Sequence, residues 1–377
     1  MSSQNPTKSV AESPSGRVQK PPPRSQAARW NRTMLKLLES DLKKDPEIDI
    51  SKIFGKTYSD KLRFLKEKSP IQPPLRRRGV RLEFNTKDEV TVIADLSPDL
   101  ENLLQPGTSL SESLVDLLDN GECLHESLAG YIVVFKLSPD IVAKVATEDS
   151  VTTEHRSLVY LQQHLPTFPA PRSHGVVRFG NYHIIFSTFI PGSDLESVWP
   201  QLNGDQKQNI SDQLETYFRQ LRSIPCPAGI PLGGVGGEGC KDIRRQLRMN
   251  TDPITSEHEF QKFVFSGSRA ASSLYTNLLR NMMPEHPVKV VFTHGDVRAA
   301  NIMVERIDSS GWKVTSIIDW EASGFYPEYW ESIKATNNLT PREKSDWYQY
   351  LPTIISPKSF AIHWLADRVW DPSAANS

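Results

Sequence analysis

The chain has few cysteines, no long apolar run and no apolar segment at its start. Its three cysteines, Cys123, Cys226 and Cys240, stand far apart and form no CxxC pair. Free thiols in a reducing compartment are therefore expected, rather than a disulfide framework or a zinc site. The apolar runs are too short to span a bilayer, and the N-terminus lacks the apolar core of a signal peptide. We expect a soluble, cytoplasmic protein.

The chain also lacks an excess of charge of either sign. It carries 44 Lys plus Arg against 45 Asp plus Glu. This balance gives no reason to expect a nucleic acid or a membrane surface as a partner. At 377 residues the chain is long enough to bury one or two substantial cores.

The N-terminal part is polar and basic. Residues 1–28 are rich in Ser, Pro, Gln and basic residues, so we expect a disordered tail. Apolar residues at helical spacing over 28–43 predict an amphipathic helix within an N-terminal extension at 29–80. Residues 72–78, QPPLRRR, predict a linker at the end of that extension. The tail and the helix are candidates for contact with a protein partner, and a solvated tail is the simpler alternative.

The middle of the chain reads as alternating strands, followed by helices. The apolar and turn patterns predict strands at 81–84, 90–96, 122–127, 131–137, 141–146, 174–179 and 181–186. They predict helices at 110–118, 152–165, 205–224, 257–265, 270–282, 341–350 and 359–370. Between these helices, residues 225–239 hold six glycines but lack a preceding strand and a GK[ST] ending, so we interpret them as a connecting loop.

Residues 290–321 contain the densest set of polar groups. A short apolar run ends at His294-Gly295-Asp296, and a polar turn leads to Asn301. Two strand-like runs, joined by a DSSG turn, then lead to Asp319. In an antiparallel hairpin the start of the first strand lies beside the end of the second. We therefore expect Asn301 and Asp319 at one edge, with Asp296 in the loop that enters it.

These residue types suit phosphoryl transfer. Hard cations such as Mg²⁺ take oxygen ligands and bridge protein groups to substrate phosphates, which fits Asn301 and Asp319. Asp296 is placed to accept a hydroxyl proton or to orient a nucleophile. The alternative is that His-Gly-Asp is only a turn, because Gly and Asp are common in turns. The full spacing, HGD-x4-N followed by IIDWE, favours the functional interpretation.

The spacing, together with YPEYWE at residues 326–331, resembles the phosphotransfer core of the aminoglycoside phosphotransferase and choline kinase-like family. The resemblance is greatest to the large group of uncharacterised fungal members. It covers about 121–370 and is strongest in the C-terminal half. It implies an α+β, two-lobed protein-kinase-like fold, with a small antiparallel-sheet N-lobe at 81–190 and a mostly helical C-lobe at 191–377.

The resemblance also implies roles for individual residues, with ATP and Mg²⁺ as cofactors. Asp296 is the catalytic base, and Asn301 and Asp319 hold the metal. Lys144, in the strand at 141–146, holds the nucleotide phosphates and pairs with Glu154 near the start of the next helix. The alternative is that Lys144 is an edge-strand lysine and Glu154 a first-turn acid favoured by the helix dipole.

The nucleotide-covering loop departs from the kinase pattern. No GxGxxG is present in residues 119–130, and the resemblance implies that a Ser or a backbone amide takes its place, with Ser127 as the candidate. It also implies that backbone groups from Ser187 to Phe189 meet the adenine, although a plain exit from a strand predicts the same residues.

Three acids near the motif allow two interpretations. Glu321, Glu328 and Glu331 either line a site for a cationic substrate or are exposed loop and helix acids. The tryptophans of this region, Trp330, Trp347, Trp364 and Trp370, are expected in the core or in cleft walls.

The sequence therefore predicts a kinase that phosphorylates a hydroxyl group of an unidentified small molecule, with neither nucleic acid nor membrane as a partner. The alternative is a pseudokinase or protein-binding module that keeps the fold without turnover. The missing glycine-rich loop favours the alternative, and the set of five polar residues favours the kinase, because a scaffold has no physical need for all of them.

Overall fold

The computed structural model describes residues 26–50, 58, 84–127, 132–147, 150–243, 247–250, 252–266, 271–284, 287–307 and 311–375. The chain divides into two compact units, Met1–Arg78 and Gly79–Ser377. Residues 1–25 of the predicted tail, the predicted linker at 72–78 and residues 81–83 of the first predicted strand lie outside the described residues. The domain limits after residues 28, 80 and 190 stay predictions.

In the first unit, helix α1 spans Gln26–Lys44 and confirms the predicted helix. Met34 is buried, whereas Leu35 and Leu37 are exposed. Lys43 and Lys44 stand in the last turn, where positive charge interacts favourably with the C-terminal end of the helix dipole.

The second unit contains the remaining elements. Its strands are β1 Val90–Ala94, β2 Glu122–Glu126, β3 Ile132–Lys136, β4 Ile141–Ala146, β5 Ser173–Phe179, β6 Tyr182–Thr188, β7 Ser193–Asp194, β8 Lys241–Ile243, β9 Leu247–Met249, β10 Val290–Thr293, β11 Ile302–Arg306, β12 Trp312–Ile317 and β13 Gly324–Pro327. Its helices are α2 Pro98–Glu101, α3 Leu110–Asn120, α4 Val151–His164, α5 Leu195–Val198, α6 Gly204–Ser223, α7 Glu257–Val264, α8 Ser273–Asn281, α9 Trp330–Lys334 and α10 Ala361–Ala375. Short 3₁₀ helices lie at Trp199–Gln201, Ala299–Asn301, Asp346–Gln349, Thr353–Ile355 and Pro357–Phe360. In the described part of the chain, no helix has both the length and the apolar character needed to cross a membrane.

A six-stranded sheet dominates the first half of this unit. Its strand order is β1-β5-β6-β4-β3-β2, and every neighbouring pair is antiparallel. Helix α3 begins with a capping box between Ser109 and Glu112, which satisfies two backbone donors at its N-terminus. The predicted small antiparallel sheet is confirmed.

The central strand β4 shows how this sheet orients Lys144. Ile141, Ala143 and Val145 are buried in a core that includes residues of α2 and α3. Successive side chains of a strand point to opposite faces, so Lys144 and Ala146 lie on the other face. Ala146 there joins the core that contains the buried side of α4. The sheet therefore directs Lys144 toward α4.

Helices dominate the second half. Helix α6 contributes Ile210, Leu214, Phe218 and Leu221 to the largest core, as their spacing predicts. The helix begins with a capping box at Asn203. The predicted organisation, a small sheet followed by a mostly helical part, is confirmed.

The tryptophans that were expected in the core or in cleft walls are mostly core residues. Trp330, Trp347 and Trp370 are buried. Trp364 is half-buried, and its Nε1 donates to the Thr336 hydroxyl at 2.8 Å. These rings pack the helical half rather than form a cofactor cage.

One predicted helix is wrong. Residues 341–350 contain only the single 3₁₀ turn at Asp346–Gln349. The Asp346 carboxylate accepts hydrogen bonds from Lys207 Nζ at 2.8 Å and from Trp199 Nε1 at 2.7 Å. These contacts fix the turn against α6, and tertiary contacts of this kind override local helix propensity.

Four further strands were not predicted. β7 pairs with β11, β13 pairs with β10, and β8 pairs with β9. Each has only two to four residues, which is too short for an alternating pattern to indicate a strand.

Candidate functional site

The hairpin of β11 and β12 brings two candidate residues to one edge. Ile302 pairs with Ile317 across the hairpin, and the Ile318 amide donates to the Asn301 carbonyl at 2.9 Å. Asn301, directly before β11, and Asp319, directly after Ile318, therefore lie at the same end of the hairpin, as predicted.

Asp319 has an uncommon backbone conformation. Its φ is 70°, and among the described residues it is the one non-glycine residue with positive φ. Such a conformation costs on the order of 1–3 kcal/mol and persists where the surroundings determine it, often at functional sites. The next residue supplies such surroundings, because the Trp320 amide donates to Glu154 Oε1 at 3.3 Å and its Nε1 donates to the Ile317 carbonyl at 2.7 Å.

Lys144 lies at the centre of a carboxylate cluster. Its Nζ is 2.9 Å from Glu154 Oε2, 2.6 Å from Asp319 Oδ1 and 2.8 Å from Glu321 Oε2. The predicted contact between Lys144 and Glu154 is confirmed, and the interpretation of Lys144 as an edge-strand lysine is wrong, because β4 lies between β6 and β3 in the sheet. The structure thus joins the sheet, helix α4 and the loop after β12 at one ammonium group.

The cluster shifts the pKa values of its members. Burial alone would lower the pKa of Lys144, but the carboxylates of Asp319, Glu154 and Glu321 raise it well above its usual value. Burial raises the pKa of Glu154, against the opposing effect of Lys144. Burial would also raise the pKa of Asp319, but the Lys144 ammonium keeps it below its usual value. Lys144 is therefore charged at neutral pH, and Asp319 is ionised beside it.

The same carboxylates form a candidate metal site. Glu154, Asp319 and Glu321 each offer an oxygen, and these oxygens lie within 4.8 Å of one another. Ser150 Oγ donates to Glu321 Oε2 at 3.0 Å and helps to orient it. Three carboxylates against one ammonium leave a formal negative charge, which an oxygen-seeking divalent cation would offset. Carboxylate oxygens are of the type that Mg²⁺ prefers, and in this structure the Lys144 ammonium contacts all three residues.

Asp296 lies in the loop between β10 and β11. Asn301 Nδ2 donates to Asp296 Oδ2 at 3.0 Å and to the Asp296 carbonyl at 2.9 Å, which leaves Asn301 Oδ1 as its oxygen for a cation. Burial raises the pKa of Asp296 to about 6, although Arg298 opposes the shift. The side chain keeps 24% exposure, so a hydroxyl group from solvent can reach it.

Arg298 is a site residue that the sequence reasoning missed. Its Nε lies 3.3 Å from Asp296 Oδ2, and its Nη2 lies 3.9 Å from Asp319 Oδ2. The side chain is 45% exposed. The guanidinium thus stands between the two aspartates and faces solvent. Its position two residues after Asp296 in the motif was the available signal.

His294 connects the two loops of the site. Its Nε2–H donates to the Ile318 carbonyl at 3.0 Å, and its Nδ1 accepts from the Asp296 amide at 3.1 Å. Burial lowers the pKa of His294 to about 4, so the ring is neutral at physiological pH. A neutral ring with one donor and one acceptor satisfies both contacts.

Glu331 holds the backbone of the His-Gly-Asp motif. Its Oε2 accepts from the His294 amide at 2.6 Å and its Oε1 accepts from the Gly295 amide at 3.0 Å. Burial raises the pKa of Glu331 to about 7. Gly295 has a φ of 83°, and a Cβ there would lie 2.5 Å from the Ala322 carbonyl oxygen. The turn therefore requires glycine and is fixed by a buried carboxylate.

Glu331 and Glu321 neither line a site for a cationic substrate nor lie exposed in a loop or helix, so both interpretations of them are wrong. Glu331 is buried beneath the motif, and Glu321 binds Lys144. Glu328 is half-buried, and its Oε1 accepts from the Lys289 amide at 3.3 Å. Two of the three acids thus support the site itself, which neither interpretation predicted.

The predicted nucleotide-contacting residues lie in the sheet. Ser127, directly after β2, accepts with its Oγ from the amide of Ile132, the first residue of β3, at 3.1 Å. Ser187 pairs with Val142 of β4. The Phe189 amide already donates to the Asp140 carbonyl at 2.7 Å. The structure thus places these residues near β4 without joining them to the Lys144 cluster, and their contact with a nucleotide stays a prediction.

Residues 133–352 match the pattern of a family described as the phosphotransferase enzyme family. Among solved structures, the chain is similar to the streptomycin–ATP ternary complex of APH(2")-IIa, at 13% identity and a TM-score of 0.44 over 71% of this chain and 91% of that chain. It is also similar to APH(3'')-Id from Streptomyces rimosus, at 16% identity and a TM-score of 0.40 over 71% of this chain and 99% of that chain. At these values the likenesses give no information on the substrate. No curated protein matches the chain.

Proposed function

Because the chain belongs to the phosphotransferase enzyme family, we propose that it transfers the γ-phosphoryl group of ATP to a hydroxyl group of a small molecule, with Mg²⁺. Membership confirms the family resemblance and the predicted enzyme class, a phosphotransferase with an alcohol group as acceptor. The closer resemblance to fungal members and the cytoplasmic location stay predictions. The proposal adds the nucleotide, the metal and the role of each residue.

The observation that carries the proposal is the cluster around Lys144. Kinase phosphoryl transfer uses a Lys–Glu ion pair with a metal-binding Asp nearby, and here Lys144 pairs with Glu154 while Asp319 lies beside them. In this proposal Lys144, oriented by Glu154, binds the phosphates of the nucleotide. A protein without turnover would have no use for the uncommon backbone of Asp319 beside this pair.

Asn301 and Asp319 are the proposed metal ligands, and Glu321 lies close enough to Asp319 to join them. Their oxygens suit a hard divalent cation. Mg²⁺ bound there would neutralise charge on the transferred phosphoryl group. The backbone conformation of Asp319 and the hydrogen bonds of Asn301 orient the two side chains that would hold it.

Asp296 is the proposed catalytic base. Its pKa of about 6 leaves it ionised at physiological pH and close enough to neutrality to accept a proton. Asn301 fixes the orientation of its carboxylate. The acceptor hydroxyl would bind at the exposed side of Asp296, transfer its proton there and attack the γ-phosphorus of ATP, while the bond to the bridging oxygen breaks and ADP leaves.

Arg298 adds a positive charge at the same place. Its guanidinium contacts Asp296 and faces solvent. We assign it to the neutralisation of the transferred phosphoryl group, since guanidinium groups bind phosphoryl oxygens well and stabilise the charge of the transition state.

Thermal unfolding with ATP and Mg²⁺ tests the proposal. A ligand that binds the folded state raises the melting temperature, and we expect a rise that needs Mg²⁺ and disappears in Asp319→Ala. Asp205→Ala, an exposed acid on α6, is the matched control. ADP release with aminoglycosides, choline-like amines and amino sugars then identifies the acceptor class. A folded protein that shows neither a shift nor ADP release would instead be the predicted binding module.

A further inference from the structure

The proposed function leaves the glycine-rich stretch of the sequence without a role. In the structure its second half continues into β8, and residues 232–242, here called the strap, contact three parts of the site. We infer that the strap is a positioning device, with Lys241 as its positioning residue, which fixes helix α4 and the loop of Asp319 to each other. The inference rests on the proposed function for its catalytic consequence, and its structural basis is independent of the nucleotide.

Lys241 joins the two elements directly. Its Nζ donates to the Thr153 hydroxyl at 2.6 Å and to the Glu321 carbonyl at 2.9 Å. Lys241 and Thr153 are both buried. Thr153 stands directly before Glu154 in α4, and Glu321 follows Asp319 after one residue. One buried ammonium thus binds next to both acids that hold Lys144.

The backbone of the strap pairs with the segment that follows the loop of Asp319. Gly233 and Phe325 exchange backbone hydrogen bonds of 2.9 and 2.8 Å. The Lys241 amide donates to the Tyr326 hydroxyl at 3.0 Å. A Cβ on Gly324 would lie 2.1 Å from the Gly233 carbonyl oxygen, so the approach of the two backbones requires glycine. A Cβ on Gly233 would likewise lie 2.1 Å from the Gly239 carbonyl oxygen, so close backbone approach also requires glycine at this position of residues 225–239.

Both ends of the strap have further anchors. Arg156, two residues after Glu154 on α4, binds Glu238 at 2.9 Å. At the other end Asp242 forms a buried ion pair with Lys334 on α9. Helix α9 also carries Glu331, which holds the His-Gly-Asp backbone. The strap therefore connects the elements that carry Glu154, Asp319 and the motif.

The physical consequence is a permanently assembled site. Moving α4 away would remove a partner from the Lys241 ammonium, and breaking contacts of a buried charge is strongly unfavourable. The strap therefore keeps Glu154 at Lys144 with or without substrates. Control by displacement of α4 is not expected in this enzyme.

Lys241→Met tests the inference, and Lys207→Met is the matched control, because Lys207 is a half-buried lysine whose ammonium binds a group on another element, the Asp346 carboxylate. Because Lys241 supports the loop of Asp319, we expect Lys241→Met to lower kcat/KM for ATP–Mg²⁺ by about 10- to 100-fold. Thr153→Val should act in the same direction. The double variant should lose no more than Lys241→Met, since Lys241→Met already removes the contact that Thr153→Val removes. Losses that simply add would overturn the inference.

Amide hydrogen exchange of the protein without nucleotide separates this inference from the proposed function. We expect Lys241→Met to speed exchange in both α4 and residues 318–323, and Lys207→Met to leave these segments unchanged. Faster exchange confined to the strap would overturn the inference, whatever the activity. If the wild type neither binds ATP nor releases ADP, the proposed function fails, and the exchange result still decides whether the strap positions α4.

Discussion

Lys144 and Asp319 lie 175 residues apart in the sequence, and their Nζ and Oδ1 atoms are 2.6 Å apart in the structure. The contact joins the antiparallel sheet to the loop that follows β12. Because Glu154 and Glu321 bind the same ammonium, removal of this one charge leaves three carboxylates in close contact.

Lys144→Met should destabilise the fold as well as abolish activity. Removing one partner of a buried ion pair costs about 3–5 kcal/mol, because the remaining charges are left uncompensated. Chemical denaturation should show a loss of this size, and Glu321→Gln in the Lys144→Met background should restore part of it. A variant as stable as the wild type would contradict the description of the cluster as a mutually dependent unit.

Asp296→Asn should separate catalysis from binding. A general base contributes about 10²- to 10⁴-fold to the rate, so kcat should fall by this factor. The melting temperature and the Mg²⁺-dependent shift with ATP should stay close to those of the wild type, since Asn keeps the shape of the side chain. A fall in kcat of less than tenfold would exclude Asp296 as the base.

Arg298→Ala should lower kcat by about 10²- to 10³-fold with little change in KM for ATP, because the proposed interaction is strongest in the transition state. Arg298→Lys keeps the charge but not the planar fork, and should recover only part of the rate. Steady-state kinetics with the identified acceptor make this comparison. A rise in KM with unchanged kcat would show ground-state binding instead.

Glu331→Gln should lower kcat without contact between residue 331 and a substrate. The amide NH₂ would face a backbone N–H of His294 or Gly295, so one of the two hydrogen bonds is lost. Displacement of a catalytic group by about 1 Å can cost about 10²-fold. Kinetics at pH 8, where Glu331 is ionised, provide the test, with Glu328→Gln as the matched control. Equal rates in the two variants would contradict the role of Glu331.

The stability of the protein should depend on pH through Glu331. Its pKa is about 7 in the folded state against a usual 4.5, so the folded protein binds the proton more tightly. Protonation of Glu331 therefore adds on the order of 3 kcal/mol to the free energy of unfolding. This contribution is fully present below about pH 4.5 and is lost as the pH rises through about 7. Denaturation between pH 4 and 8 should show this fall in the wild type and a smaller one in Glu331→Gln. Parallel curves would refute it.

The sequence predicted the parts of the site that local patterns determine. Strand alternation and turn chemistry sufficed for the hairpin that places Asn301 and Asp319 at one edge. The pairing of Lys144 with Glu154 followed from the family resemblance and is confirmed.

The missed residues act through tertiary contacts. Glu331 reaches the motif across 36 or 37 residues, and an acid in the first turn of a helix ordinarily faces solvent. Arg298 stands in a turn whose local pattern gives no direction for its side chain. The wrong helix at 341–350 has the same cause, because the contacts of Asp346 with Lys207 outweigh helix propensity.

The neutral imidazole of His294 has a consequence for how acceptor preference can change. Through its two nitrogens it connects the loop of the proposed base to the loop of the proposed metal ligand, so these two loops form one hydrogen-bonded frame. Substitutions outside this frame can reshape the space in front of Asp296 without altering the spacing of the reacting groups. A change of acceptor is therefore expected to need substitutions only in the surface around Asp296, with the proposed catalytic residues unchanged.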